Sequence, residues 1–447
     1  MSKIAVIGMG QGGMVAAIKL AKAGYDVTIF EKKSEEDVSY PWRDDIRYDI
    51  FDTVDLPKPE ESVCIQKPKW VFVSPNEHNL LRVPQLKPME EVSISRKGLT
   101  KHFVQLATEN GAKCQFDSKV KSLIIEDEIV KGIVVNDEKQ YFDLVIDACG
   151  LNSKFRAEIP KKFGIQAQPT KKDTMFGYRA FYKHIEGTNT IDDGIPCTLI
   201  AKHLGGEGIS WCNLNEDDQV DVLIGRVNYL SDDDIQEMLA DLKANNPILS
   251  DELIYKQTVP ICLRCGIARA VADGYCVVGD SAFMTIPVMG SGIEASMQGG
   301  NFLAKHIIDN KITDFSAKNL YGYYVEYMDK LGKGFVLLDV LRRWALKLPA
   351  EWIDWVMSGK LIKYNELAYV MLEKGYGKPK FNFWAFFKIP FVLLSKPKIL
   401  CSILGMARKG LKGVKIAGKM PREYNEKKLN KWQAKYDAII DKMEETK

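Results

Sequence analysis

Three glycines near the start of the chain are spaced as Gly8-x-Gly10-x-x-Gly13, and an acid, Glu31, follows them. In such a turn the first glycine permits a sharp strand-to-helix reversal. The second lets a pyrophosphate approach the backbone, and the third lets the helix pack close to the strand. Gly12 lies in the same turn. The start of the following helix offers unpaired N–H groups and a positive dipole end, worth roughly 0.3–2 kcal/mol toward an anion. Glu31 stands where a carboxylate can accept hydrogen bonds from both hydroxyls of a ribose, and it would repel a 2′-phosphate. These residues together describe a dinucleotide site, but they do not separate FAD from NAD.

A second fragment bears on that choice. Tyr275–Val278 has the composition of a short buried strand. It runs into Gly279-Asp280-Ser281-Ala282, then Pro287 and Gly290-Ser291-Gly292-Ile293, which opens a helix. FAD extends past its pyrophosphate through a ribitol chain to the isoalloxazine. Asp280, at a strand end, can bind a ribitol hydroxyl, and the helix start at Gly290, Gly292 and Ile293 can face flavin N1 and C2=O. Its dipole would stabilise the charge of reduced flavin. NAD has no need of such a distant second element, so the cofactor expected is FAD.

The combined pattern resembles the flavoprotein group that includes p-hydroxybenzoate hydroxylase and, more closely, the geranylgeranyl reductases. The Gly279–Ile293 segment is similar to the group's ribitol-binding GDA…P…GxGI segment. Asp147-Ala148-Cys149-Gly150-x-x-Ser153-x-x-Arg156 is similar to its DGxxSxxR segment, with Cys149 where an Asp often stands. The resemblance implies that Arg96 contacts the FAD phosphate region, that Gly150 belongs to the cofactor site, and that the strand at Val120 meets adenine. Gly208-Ile209-Ser210-Trp211-Cys212-Asn213-Leu214 resembles the reductases' YxWxFP signature, without its Tyr and with Asn213-Leu214 for Phe-Pro. That makes Trp211 a candidate for the substrate pocket, against the alternative of a core residue. The reductases' PxxCGEG loop is missing, and Tyr40-Pro41-Trp42-Arg43-Asp44-Asp45 stands in its region. There Trp42 and Arg43 either contact the cofactor or form a surface turn.

The elements that must position these residues follow from periodicity. Lys3–Ile7 is an apolar run suited to a buried parallel strand, and Met14, Ala17, Ile18 and Ala21 fall on one helical face. Asp26–Glu31 reads as the next strand. Ser34–Pro88 is irregular. Lys97–Gly111 reads as a helix, with strands at Cys114–Phe116, Val120–Ile125, Gly132–Val135 and Leu144–Cys149, and turns at Glu128 and Lys131. Gly177–Arg226 is β-rich, and Ser231–Asn245 is a helix capped by Ser231. Gly274–Gly279 is a further strand and Gly292–Asn310 a further helix. Beyond Phe315, Leu337, Val340, Leu341, Trp344 and Leu348 share one helical face, and an amphipathic helix ends the chain. The fold expected is α/β: a Rossmann-like FAD-binding domain with an inserted β-sheet-rich substrate domain and a helical C-terminal region. The FAD domain takes 1–155 and 255–315, and the substrate domain takes 160–254, with part of 40–90 able to join it. The helical, basic region takes 316–447.

Composition narrows the partners. The net charge of +3 gives no global pull toward nucleic acid. Yet Lys374–Arg422 holds twelve Lys or Arg and no acid, leaving −9 for the remainder, twelve below the whole. Within it, Phe381–Phe387 and Phe391–Leu394 alternate with lysines, which suits an interfacial segment on anionic lipid as well as a helical cap with a solvated basic face. The nine cysteines form no disulfide framework, and the five histidines show no metal-ligand spacing, so no zinc site is expected. Cys262-x-x-Cys265 is either a redox dithiol or two structural thiols. Lys3, the uncharged Ile4–Ile18 and Ala21-Lys22-Ala23 mimic a secretory signal. Cleavage there would discard the glycine turn, so the segment is expected to stay in a cytoplasmic enzyme that can touch membranes peripherally. The function expected is FAD-dependent reduction of C=C bonds in a prenyl or other lipid-like substrate, with the electron donor left open. The alternatives are a single-component aromatic hydroxylase, an electron-transfer flavoprotein serving a membrane quinone, and a non-catalytic flavin-binding protein.

Overall fold

The first sheet grows from the apolar runs around the glycine turn. In the computed structural model, which describes residues 1–77, 79–82, 89–189, 197–288, 290–360 and 394–442, Lys3–Ile7 lies between Asp26–Phe30 and Leu144–Asp147. Both pairings are parallel, with Ile4 opposite Val27 and Leu144. Lys113–Gln115 extends this sheet on one side, and Tyr275–Val277 followed by Val271–Ala272 extends it on the other. Parallel strands buried on both faces read as unbroken apolar sequence, which is why this sheet shows so plainly in the chain. Among the described residues the α-helices are α1 (Gln11–Lys22), α2 (Ile50–Thr53), α3 (Arg96–Glu109), α4 (Asp232–Asn245), α5 (Ile293–Asp309), α6 (Ala317–Tyr327), α7 (Lys333–Lys347), α8 (Ala350–Trp355), α9 (Pro397–Ala417) and α10 (Glu426–Lys442). Helix α1 buries Met14, Val15, Ile18 and Leu20 almost completely, each worth about 1.5–3 kcal/mol relative to exposure.

A second, seven-stranded sheet runs in the order Leu249–Cys262, Thr174–His184, Gln219–Val227, Gly208–Leu214, Cys197–Ala201, Trp70–Val73, Leu80–Arg82. One face is covered by α4, whose Ile235, Met238, Leu239 and Leu242 pack on Tyr178, Val222 and Ile224. Ser231 caps α4 in a capping box with Asp234, a device worth about 1 kcal/mol. Cross-strand register places Trp70, Phe72, Leu199, Trp211, Leu223 and Arg179 on the opposite face. Two three-stranded sheets complete the described strands. One holds Val120–Glu126, Ile129–Val135 and Glu138–Tyr141, and the other holds Arg43–Arg47, Glu91–Ser95 and Cys64–Gln66.

Several expectations are corrected. Lys131 is not a turn residue but sits inside the strand Ile129–Val135, beside a register shift at Val130 and Gly132. Glu138–Tyr141 is a strand that the sequence does not announce, because an edge strand of sequence Glu-Lys-Gln-Tyr carries no apolar alternation. The irregular stretch after Ser34 holds α2 and four strands or parts of strands, too short to show a period. The apolar face of α7 buries Val340 and Leu348 and leaves Leu337 exposed, and a second face that the periodicity did not show buries Asp339, Arg342 and Arg343. Leu337 and Val336 lie against Gly410 and Gly413 of α9. On the second face Arg343 donates to Asp339 (2.8 Å) and to Asp173 (2.7 Å), and Arg342 donates to Asp339 (2.8 Å). Arg264 stands 3.6 Å from Asp173. Burial alone would raise the carboxyl of Asp339, but Arg343 and Arg342 outweigh it and hold that carboxyl below the ordinary range. The aromatic stretch Phe381–Phe387 and most of Phe391–Leu394 lie outside the described residues.

Candidate functional site

The glycine turn sits where the chain leaves the first strand. Gly8 has φ +85°, in the left-handed region, and its N–H donates to the carbonyl of Phe30 (2.8 Å). Gly10 is the residue before α1 and offers no side-chain cap, so the first-turn N–H groups are left for a ligand. A Cβ at Gly10 would stand 2.7 Å from the carbonyl oxygen of Ala148, and one at Gly13 would stand 2.5 Å from the Cβ of Ala148 and 3.0 Å from Val6. Gly13 therefore sets how close the helix comes to the sheet. Gly12 faces elsewhere: its Cβ would meet the carbonyl of Ser296 at 2.7 Å and Val278 at 3.0 Å, so it admits α5 rather than opening the turn.

Glu31 follows the second strand and is buried. Its carboxylate accepts the Met9 N–H (3.2 Å) and the Lys33 N–H (3.0 Å), which orients it beside the glycine turn. The Ser118 N–H donates to the Glu31 carbonyl (2.7 Å), bringing the approach to Val120 against the same edge. Arg96 begins α3, and its N–H donates to the Trp42 carbonyl (3.1 Å). Its guanidinium lies 3.6 Å from Asp44 and over the Tyr40 ring at 5.7 Å. Its Nε is buried with no hydrogen-bond partner among the described residues. An orphaned guanidinium N–H costs free energy unless something accepts from it, and a cofactor phosphate would.

The two later segments are tied together through Asp147, which is fully buried. Its carboxylate accepts the Tyr275 hydroxyl (2.7 Å), the Cys149 N–H (3.0 Å) and the Ser153 hydroxyl, and lies 3.1 Å from the Ser281 hydroxyl. Ser281 in turn accepts the Gly150 N–H (2.9 Å). Arg156 donates to the carbonyls of Ser281 (2.7 Å) and Leu151 (2.6 Å). Gly150 and Asp280 thus stand on one rigid floor. Asp280 accepts the Thr285 hydroxyl (3.1 Å) and stands 2.8 Å from where a Cβ at Gly292 would be. Burial pushes its carboxyl up, against the pull of Thr285 and the Arg96 guanidinium. Gly292 precedes α5 without a side-chain cap, and Ile293 is its first residue. Next to them, Glu294 accepts the Arg47 N–H (2.9 Å), and burial pushes its carboxyl up to about 7. Gly290 lies against Ile261 and Leu263, at the edge of the second sheet.

The geometry fits FAD. The glycine turn and Glu31 suit the AMP half, the orphaned Arg96 Nε suits the phosphates, and Asp280 with the α5 start suits the ribitol and ring.

The face of the second sheet away from α4 meets this cradle. Trp42 is buried, stacked on Tyr40 at 4.3 Å, and packed with Phe181 and Val259. Arg179 lies over the rings of Trp42 (4.7 Å) and Trp211 (5.2 Å). It donates twice to Asp221, at 3.1 and 2.6 Å, and once to Asp44, at 3.2 Å. Trp211 is half-buried beside Trp70, edge to face at 5.9 Å. Arg43 is not a surface turn residue: it donates to the carbonyls of Val63 (2.9 Å) and Ser93 (3.1 Å) and pairs with Glu216. Cys262 and Cys265 are buried free thiols, and burial pushes Cys265 up to about 12. Both are poor nucleophiles in that state. Sequence reading missed Glu294 and Arg179 as members of the cradle and its neighbour. Glu294 directly follows the Gly290–Ile293 motif without belonging to it, and is marked out by Arg47 from a distant strand, whereas Arg179 lies on a strand and carries no motif.

Residues 1–310 match the family described as FAD binding domain. The chain is similar to the digeranylgeranylglycerophospholipid reductase of Sulfolobus acidocaldarius, 25% identical over 81% of this chain and 82% of that one. It is also similar to digeranylgeranylglycerophospholipid reductase 2 of Methanococcoides burtonii, 25% identical over 66% of this chain and 72% of the relative. Among solved structures, a geranylgeranyl bacteriochlorophyll reductase-like protein from Thermoplasma acidophilum superposes with a TM-score of 0.70 at 18% identity, covering 89% of this chain and 98% of that one. A flavin-dependent brominase superposes at 0.60 and 17% identity, covering 89% and 99%. These two likenesses speak for the fold alone.

Proposed function

The chain belongs to the FAD binding domain family, and on that premise we propose that it reduces carbon–carbon double bonds in the prenyl chains of a lipid. It is an FAD-dependent oxidoreductase. The observation that carries the finer reading is the apolar sheet face set against the flavin end of the cradle. Gly290 abuts Ile261 and Leu263, Ile209 packs with the same two, and Trp211, Leu199, Phe72 and Trp70 are half-buried farther across the same sheet face. Half-buried apolar walls around few polar groups suit a long hydrocarbon. The curated relatives, named as reductases of a digeranylgeranyl lipid, point the same way.

Reduced FAD would supply the hydride, from flavin N5. The chain's own residues do the rest. Gly8, Gly10, Gly13 and Glu31 hold the AMP half, Arg96 receives the phosphates, Val120 and Gly150 border the cofactor, and Asp280 receives the ribitol. Gly290, Gly292 and Ile293 present the α5 dipole to the ring. Arg179, paired with Asp221 and Asp44 and lying over the rings of Trp42 and Trp211, holds those two tryptophans in place at this sheet face. Glu294, raised to about 7, keeps part of its proton at neutral pH on a carboxyl oxygen near the α5 start.

The same reading places the enzyme at a membrane surface. No helix among the described residues is long and apolar enough to cross a membrane. Helix α9, however, exposes Leu404 and Leu411 on a segment that also carries Lys398, Arg408, Lys409, Lys412 and Lys415. Each such cation near anionic lipid is worth on the order of 1 kcal/mol. The nine free cysteines fit a reducing compartment. To test the reaction, chemically reduced enzyme is incubated with a polyprenyl phospholipid and the lipid is weighed by mass spectrometry. Gain of one H2 per double bond supports the reading, and an unchanged lipid under full flavin reduction sinks it.

A further inference from the structure

On the far side of the second sheet, away from the cofactor cradle, three side chains from separate parts of the chain converge. Glu77 comes from the turn after Trp70–Val73, His203 from the turn after Cys197–Ala201, and Asp241 from α4. Their ligand atoms all lie within 4.8 Å of one another. His203 is fully buried. Its Nδ1 lies 2.9 Å from the Ser210 hydroxyl and its Nε2 lies 2.7 Å from Asp241.

We propose that Glu77, His203 and Asp241 form a binding site for a divalent transition-metal ion, zinc being the probe, which pins the Glu77 turn to α4 across the sheet.

Three observations support it. First, a carboxylate oxygen of Glu77 and one of Asp241 lie within 4.8 Å of each other, and among the described residues neither is ion-paired to a lysine or arginine. Two carboxylates so placed repel unless a proton or a cation lies between them. Arg226 donates to the His203 carbonyl (2.8 Å) rather than to these acids. Second, the imidazole is prepared for a metal. If Nδ1–H donates to Ser210, the Nε2 lone pair points at the carboxylates, the outer hydrogen bond that metal-binding histidines use to fix their tautomer. Third, the distances are near those required. Tetrahedral zinc with bonds of about 2.0–2.2 Å separates its ligand atoms by about 3.3 Å, so Asp241 must withdraw from Nε2 by about 0.6 Å. Asp241 is half-buried and can rotate to do so. One nitrogen and two carboxylate oxygens leave a fourth position for water. The ligands are dispersed along the chain, which is why the spacing of the histidines gave no sign of a site.

The test uses the full, FAD-loaded protein, freed of metal by a chelator and then titrated with zinc against a chromophoric competitor. The expected result is one tightly held zinc per chain and a rise in Tm on loading. His203→Gln should abolish the tight site, and Glu77→Gln, in a half-buried turn where misfolding is not expected, should weaken it at least tenfold. Flavin content and absorbance should stay as in the parent, since the site lies across the sheet from the cradle. Absence of a tight site in the parent overturns the proposal, as does zinc binding that is equal in parent and both variants. A Glu77–Asp241 pair that merely shares a proton would give that first outcome.

Discussion

Replacing Gly13 with alanine separates the close packing of the cradle from mere backbone strain. The new Cβ would stand 2.5 Å from the Cβ of Ala148 and 3.0 Å from Val6 Cγ1, whereas carbon atoms rest at about 3.5–4.0 Å. Helix α1 must therefore move away from the sheet by about 1 Å. Overpacking of this kind costs about 1–3 kcal/mol. It also withdraws the first-turn N–H groups from the cofactor phosphates. Losing one charge-assisted hydrogen bond, worth about 1.5–3 kcal/mol, weakens FAD binding roughly 10- to 100-fold. Gly24→Ala is the control. Gly24 has φ +91° and nothing within 4 Å of where a Cβ would stand, so alanine there costs about 1–2 kcal/mol of left-handed strain with FAD affinity unchanged. Urea unfolding of the apoprotein gives the stability change, and quenching of flavin fluorescence on titration gives the affinity. A Gly13→Ala protein that binds FAD within about threefold of the parent would refute the argument that this glycine sets the position of the phosphate-binding helix end.

Three further outcomes are expected. Asp339→Asn leaves Arg342 buried without its charge partner and takes one of two carboxylates from Arg343, which keeps Asp173, and should cost about 3–5 kcal/mol at pH 7. Because the folded carboxyl titrates below the ordinary value, its stabilisation is full above about pH 4 and is lost as the pH falls through the folded value. The Tm gap between parent and variant should therefore narrow under acid, and a gap constant from pH 7 to pH 3 would contradict this. Asp280→Ala removes the ribitol acceptor while disturbing only the Thr285 bond, so the purified protein should keep its circular dichroism and lose most of its flavin absorbance. Cys262→Ser and Cys265→Ala should leave flavin reoxidation rates within about twofold, a loss under about 0.4 kcal/mol, whereas a redox dithiol would lose turnover altogether.

The parts legible in the sequence are those whose pattern is local. Gly8, Gly10, Gly13 and Glu31 announce a strand, a turn and a helix within one βαβ unit, and the buried parallel strands read as apolar runs. The Gly279–Ile293 segment is legible for the same reason. What escaped depends on contacts between distant strands. Asp147 is the hub that joins Tyr275, Ser153 and Ser281, yet in sequence it is only the first letter of a motif. Arg179 looks like any strand arginine until Asp44, Asp221 and two tryptophans close on it. The buried charges of α7 were hidden by the stronger apolar signal on its other face, which packs on α9. Gly12 belongs to the turn by position but to the α1–α5 contact by geometry.

The most direct test of prenyl-lipid reduction is anaerobic. The bound flavin is reduced, and its reoxidation is followed by absorbance on mixing with a polyprenyl phospholipid, with a quinone, or with oxygen and an aromatic. A prenyl reductase predicts that the lipid reoxidises the flavin and loses a double bond in equal amount. Reoxidation by the quinone, or by oxygen with hydroxylation of the aromatic, while the lipid leaves the flavin reduced, would contradict it.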